Sequence, residues 1–247
     1  MAQAKAKDIA QEPTATPSLL RILTLVTVLG VVVALVFALV IAGTDIEQGE
    51  VQRIFYVHMP AFFGAFVAFG ATVLGGVMYL WKRDPKWDRL AVAGVEVGFA
   101  LALINLITGS IWARPIWNTW WTWDPRLTSE AIMVLTYAAY MMLRAGIDNV
   151  DTRRRFASVY GILAFATVLL VLFIIRVRDD TIHPTVVGNS PQNAQGSFAA
   201  TSGVVGALMV GLLVWGLIVP VTLMWYRIRL ENMLDWVNRK KMEVLSA

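Results

Sequence analysis

Apolar residues in this chain run in long blocks rather than in stripes. Ile22 to Thr44 carries no charge over 23 residues, and Ile54 to Trp81 is interrupted by one histidine only. Leu90 to Ala113 holds a single ionisable group, Glu96. Phe156 to Ile175 is uncharged over 20 residues, and a further uncharged run ends in Gly203 to Tyr226. A helix needs about 20 apolar residues to cross a hydrocarbon core roughly 30 Å thick, and all five blocks meet that length. Leu127 to Leu143 is shorter and includes Glu130, which makes it the weakest of six predicted spans. The pattern predicts an all-α integral membrane protein with six transmembrane helices.

The flanks divide the chain further. Residues 1–18 are polar, rich in Ala, Lys, Gln, Pro and Thr without periodicity, and read as a disordered tail. The first apolar block exceeds the about 7–15 residues of a signal-peptide core, so it reads as a retained span. Residues 19–226 form the predicted membrane domain. Within 227–247, Leu230, Met233, Leu234 and Val237 fall at i, i+3, i+4 and i+7. That spacing predicts an amphipathic helix on the inner leaflet or against a cytoplasmic partner.

Charge sets the orientation. With alternating flanks, 16 of the 21 Lys and Arg residues fall on the side of the termini and five on the other. The side rich in Lys and Arg stays in the cytoplasm, so both termini are expected there. The pI near 9.5 then reflects topology rather than a nucleic-acid partner. Three outer loops follow, at roughly residues 45–53, 113–127 and 176–202. Composition agrees, with 57% hydrophobic residues, 15% charged and a mean hydropathy of +0.63. Soluble domains run at about 45–50% apolar and about 25% charged. This chain's composition excludes a disordered protein and argues against an ordinary soluble enzyme. The absence of cysteine removes disulfides, thiolate metal sites and a Cys-x-x-Cys-His haem attachment. No Gly-x-x-x-x-Gly-Lys-Ser/Thr loop is present, so the chain is not itself an ATPase.

The chemistry gathers outside. Five of the ten tryptophans, Trp112, Trp117, Trp120, Trp121 and Trp123, lie within 12 residues of the middle outer loop, with Asp124 and Arg126 directly after. Such a cluster is either an interfacial aromatic belt or a platform for a flat ligand with a polar rim. The two histidines, His58 and His183, flank this loop in sequence, and both fall on the outer side. Each alone is an ordinary interfacial residue; together they fit a pair of axial ligands on one haem iron. Arg126, and more loosely Arg53 and Arg114, are candidates for binding carboxylates of such a ligand. Glu96, inside the third span, is either paired structurally or part of a transport path with Asn105 and Thr108. Small residues at Gly94, Gly98 and Ala102, and at Gly203, Ala207 and Gly211, predict close helix packing.

The string from Trp120 to Ser129 resembles the tryptophan-rich "WWD" signature of haem-handling proteins of cytochrome c maturation. The Asp-x-Arg-x-Thr-Ser order and the number of spans are closest to the haem exporter protein C branch. The segments Arg53–Pro60 and Ile182–Pro184 sit where that family has its two flanking histidines. Pro125 departs toward the larger relatives that continue Asp-Pro, and Ala113 and Asn118 replace expected glycines. The resemblance covers roughly residues 20–226. It implies a protein that holds haem b non-covalently at the outer face of a bacterial cytoplasmic membrane and delivers it to a haem chaperone. His58 and His183 would ligate the iron, and Trp112 to Ser129 would form the haem-binding loop. The implied partners are an ATP-binding-cassette ATPase, its membrane subunit and a small single-span subunit, with transfer rather than hydrolysis as the activity. Two other classes stay open: a permease with a polar path through the bundle, and a structural subunit whose tryptophans dock another protein.

Overall fold

The computed structural model describes residues 16–178, 180–185, 190, 192–198 and 200–246. Most of the expected disordered tail, residues 1–15, lies outside this range, as do Gly188 and Pro191 of the third outer loop. Among the described residues six long helices form. They are α1 (Ser18–Ile41), α2 (Phe55–Lys82, entered through a tight turn at Glu50–Ile54), α3 (Pro85–Trp117), α4 (Pro125–Ala145), α5 (Val150–Val177) and α6 (Ser202–Leu245). Three of the starts carry an Asp or Asn side-chain cap. Asp84 accepts from the Lys86 N–H at 3.0 Å, Asp124 from Leu127 at 2.9 Å, and Asn149 from Thr152 at 2.9 Å. Two of these caps are followed by proline at the first helical position, where its missing N–H costs nothing.

Five of the six helices are long and apolar enough to cross a membrane. The exception is α4, as its sequence suggested. At 21 residues it is about 31 Å long, just a bilayer core. Its composition falls short because its buried face carries Arg126, Ser129 and Glu130 beside Met133, Tyr137 and Tyr140.

The α2–α3 hairpin is the centre of the bundle. A Cβ added at Gly75 would sit 2.6 Å from the Trp87 carbonyl, so only glycine permits this approach. Gly94 and Gly98 bring α3 equally close to Thr72 and Phe69 of α2, as the small-residue spacing predicted. Phe69 stacks on Tyr137 of α4 at 3.5 Å between ring centres. By contrast α1 lies at the edge, with only Leu20 and Ala34 buried along Ser18–Val36. It meets α6 through Thr27 and Thr222, whose hydroxyls are 2.8 Å apart.

Ion pairs close the end of the bundle opposite the tryptophan loop. Asp88 receives both terminal nitrogens of Arg144 at 2.7 and 3.0 Å, with Arg154 at 3.4 Å. Glu96 is held by Arg227, which also binds Glu231 at 2.7 Å, so it is paired across the bundle. Arg89 meets Asp235 at 2.6 Å. The helix α6 passes Tyr226 without a break and runs 44 residues, about 66 Å, well beyond a bilayer core. Among the described residues α6 carries on through the predicted tail as far as Leu245, because its Arg, Glu, Leu and Lys residues are good helix formers.

Candidate functional site

The middle outer loop is shorter than residues 113–127. Helix α3 continues to Trp117 and ends at Asn118, whose left-handed backbone (φ 54°) is the usual stop. Pro115 lies inside α3, so near this end that the helix absorbs the loss of one hydrogen bond. Arg114 donates to the Asn118 carbonyl at 2.7 Å and helps to close the end. Trp112 and Trp117 are therefore helical residues, and the loop proper spans 118–124.

A cavity of about 430 Å³ opens between the ends of α2, α3, α4 and α6 and the third outer loop. Ligand pockets typically measure about 300–1,000 Å³. Its wall includes His58, His183, Trp112, Trp117, Trp121 and Arg126. Trp120 and Trp123 do not line it; both are exposed, at 58% and 76%.

Each histidine is held in the same manner. His58 Nδ1 lies 3.0 Å from the Asn105 carbonyl and His183 Nδ1 2.8 Å from the Pro184 carbonyl. A carbonyl only accepts, so a proton on Nδ1 makes both bonds and leaves the lone pair on Nε2; at His58 the Asn105 Nδ2 amide also lies 3.2 Å from Nδ1. This is the arrangement that orients metal-bound imidazoles. An indole edge braces each ring, Trp112 on His58 (5.8 Å, 74°) and Trp117 on His183 (6.0 Å, 68°). Gly109 backs His58 so closely that a Cβ there would lie 2.9 Å from Cε1. In the loop, burial first, then the Arg126 charge and the His58 ring, hold the His183 imidazole down to about 3. His183 is thus a neutral base across the physiological range.

The indole N–H groups divide into two kinds. Trp112 donates to Gln48 Oε1 at 2.9 Å and Trp117 to the Gln195 carbonyl at 3.2 Å, lacing the three outer segments together. The Trp121 N–H is buried without a partner among the described residues. Arg126 is buried over the Phe62 ring and donates to the Val171 carbonyl at 2.6 Å. Arg53 and Arg114 are occupied elsewhere, Arg53 by carbonyls at the end of α1 and by Glu50, Arg114 by Asn118. Asp124 was expected at the rim of the ligand. Its two oxygens instead serve the Leu127 N–H and the Thr181 hydroxyl.

Glu130 is the residue that sequence reasoning passed over. It is buried, lines the cavity, and one of its oxygens has no hydrogen-bond partner among the described residues. The signal was available: Arg126 and Glu130 stand four apart and share a helix face. Asn105 and Thr108, expected to hint at a polar path, are committed around His58, Asn105 Nδ2 donating to the His58 carbonyl at 2.7 Å. Among the described residues no cluster of three His, Asp or Glu side chains suits a bare metal ion. The donor set instead suits an ion that brings its own equatorial ligands: two imidazoles, apolar and indole faces, and one buried arginine.

The chain is 33% identical over 139 residues to "Heme exporter protein C" of Paracoccus denitrificans, covering 56% of this chain and 58% of that protein. It is 37% identical over 126 residues to the protein of the same name in Rhodobacter capsulatus, covering 51% and 52%. Against that of Escherichia coli K12 the identity is 35% over 130 residues, covering 52% and 51%. The chain thus spans about half the length of the relatives it matches. The family model described as "Heme exporter protein C" matches residues 5–243, and the chain belongs to that family.

Proposed function

We propose that this protein takes part in cytochrome c maturation by holding haem b, non-covalently, at the outer face of a bacterial cytoplasmic membrane. There it passes the haem to a haem chaperone. The observation that carries the proposal is the matched pair of histidines lining one cavity, each with Nδ1 bound to a carbonyl, Nε2 left basic and an indole against the ring. Two axial imidazoles fill the coordination of haem iron and leave no site for oxygen chemistry, which suits a carrier. Trp121 offers an apolar face and a free N–H donor, and Arg126 a buried cation for a propionate. The apolar remainder of the wall, Phe55, Leu106, Ile116 and Leu208 among it, fits a porphyrin face.

The charge division supports an outer position for this cavity, with both termini in the cytoplasm. Trp120 and Trp123, exposed beside the cavity, offer a surface where a haem acceptor docks. The ATPase, its membrane subunit and the small single-span subunit complete the assembly, and the long α6 extension supplies a cytoplasmic contact for it. The test is direct. Protein purified from haem-replete membranes carries one extractable haem per chain, with a sharp Soret band, and loses it to a tethered haem chaperone on mixing. A stable, colourless protein contradicts the reading and returns the tryptophans to a docking role.

A further inference from the structure

His183 stands on an irregular loop, where a side chain has no helix to fix its direction. We propose that Asp124 and Thr181, neither of which lines the cavity, are positioning residues that set the His183 ligand through a relay of hydrogen bonds. The proposal rests on the reading of His183 as an iron ligand.

The relay is directional. Asp124 caps α4 with one oxygen, accepting the Leu127 N–H at 2.9 Å, and meets the Thr181 hydroxyl with the other at 3.1 Å. An ionised carboxylate only accepts, so the single hydroxyl proton of Thr181 must point at Asp124. The lone pairs of Thr181 Oγ1 then face the His183 backbone N–H, which donates to it at 3.1 Å. Thr181 is fully buried, so water does not compete for either bond. A second tether brackets the same stretch: the Gln195 N–H donates to the Ile182 carbonyl at 2.9 Å, and the Gln195 carbonyl accepts from the Trp117 indole. The chain at 181–183 is therefore held on one side by the start of α4 and on the other by the end of α3. Those two helices also carry Arg126 and Trp117 of the cavity wall. The capping carboxylate of the tryptophan loop thus fixes the histidine loop at a defined place relative to the indoles.

The test compares Thr181→Val, Thr181→Ser and His183→Gly in the full-length, haem-loaded protein. Thr181→Val removes both bonds at similar volume and leaves the α4 cap intact. It should convert a substantial part of the low-spin haem to a five-coordinate, high-spin form, with haem binding roughly tenfold weaker. Added imidazole should restore the low-spin spectrum, as it should in His183→Gly. Thr181→Ser keeps the hydroxyl and should remain low-spin. Asp124→Asn, which still caps a helix but is no longer an obligate acceptor, should shift the spectrum in the same direction to a smaller extent, and serves if Thr181→Val fails to fold. Wild-type spectra in both Thr181→Val and Asp124→Asn, with His183→Gly altered, overturn the relay alone. An unaltered His183→Gly spectrum overturns the ligand assignment and the relay with it.

Discussion

Replacing Gly109 by alanine probes how His58 is held. The added Cβ would lie 2.9 Å from His58 Cε1 and 3.4 Å from Nδ1. Carbon atoms settle at about 3.5–4.0 Å, so the ring must retreat by roughly 0.6–1.1 Å. That displacement disturbs the 3.0 Å bond from Nδ1 to the Asn105 carbonyl. In the free protein the ring can tilt toward the cavity and relieve the clash. With iron on Nε2 it cannot, and the penalty falls on the loaded state. Overpacking of this kind costs about 1–3 kcal/mol, equivalent to roughly 5–150-fold in affinity. The assay is haem titration of the detergent-solubilised protein at the Soret band, in four backgrounds: wild type, Gly109→Ala, His58→Gly and both. The alanine should weaken binding in the wild-type background and be neutral, within about 0.5 kcal/mol, where His58 is absent. Equal penalties in both backgrounds would refute the reasoning, because the methyl group would then act on something other than the His58 ligand.

Other consequences follow from the same geometry. Asp88→Ala leaves Arg144 and Arg154 facing a lost carboxylate at the end remote from the cavity, and should cost about 3–5 kcal/mol of stability. Thermal unfolding should show that loss, with the haem spectrum of the folded fraction unchanged. The unfolded chain protonates His183 near its ordinary value of 6.5, whereas burial holds the folded ring at about 3. The stability from its neutral form is therefore full above about pH 6.5 and declines as pH falls toward 3. Denaturation midpoints of the haem-free protein between pH 7 and 5 should show the slope, and His183→Gln should flatten it. Glu130→Gln removes a carboxylate on the same face as Arg126 and should slow haem release severalfold, since the cavity then repels propionates less; transfer to a haem acceptor at fixed ionic strength measures this.

Much of this was legible in the residues, because a bilayer imposes one-dimensional rules. Uncharged runs marked five helices, whereas the Asp-Pro pairs that open α3 and α4 were not read as helix starts. The weakness of α4 had a cause the sequence did not expose: its polar residues face a cavity wall rather than lipid. The histidines stood out as the only two in the chain, yet the bracing of His183 by Trp117 depends on α3 running on through Pro115. Asp124 was legible as important but not in its role, since its partner Thr181 is 57 residues away. Glu130 was overlooked because a lone carboxylate in a doubtful span reads as a defect until the cavity gives it a surrounding.

The central claim, that His58 and His183 ligate one iron, is tested most directly by chemical rescue. Visible and electron paramagnetic resonance spectra of His58→Gly and His183→Gly should each change from low-spin to high-spin. Each should return to the low-spin form when imidazole is added, because a glycine leaves room for the free ligand. Low-spin spectra in both variants without imidazole would contradict the account and place the iron ligands elsewhere.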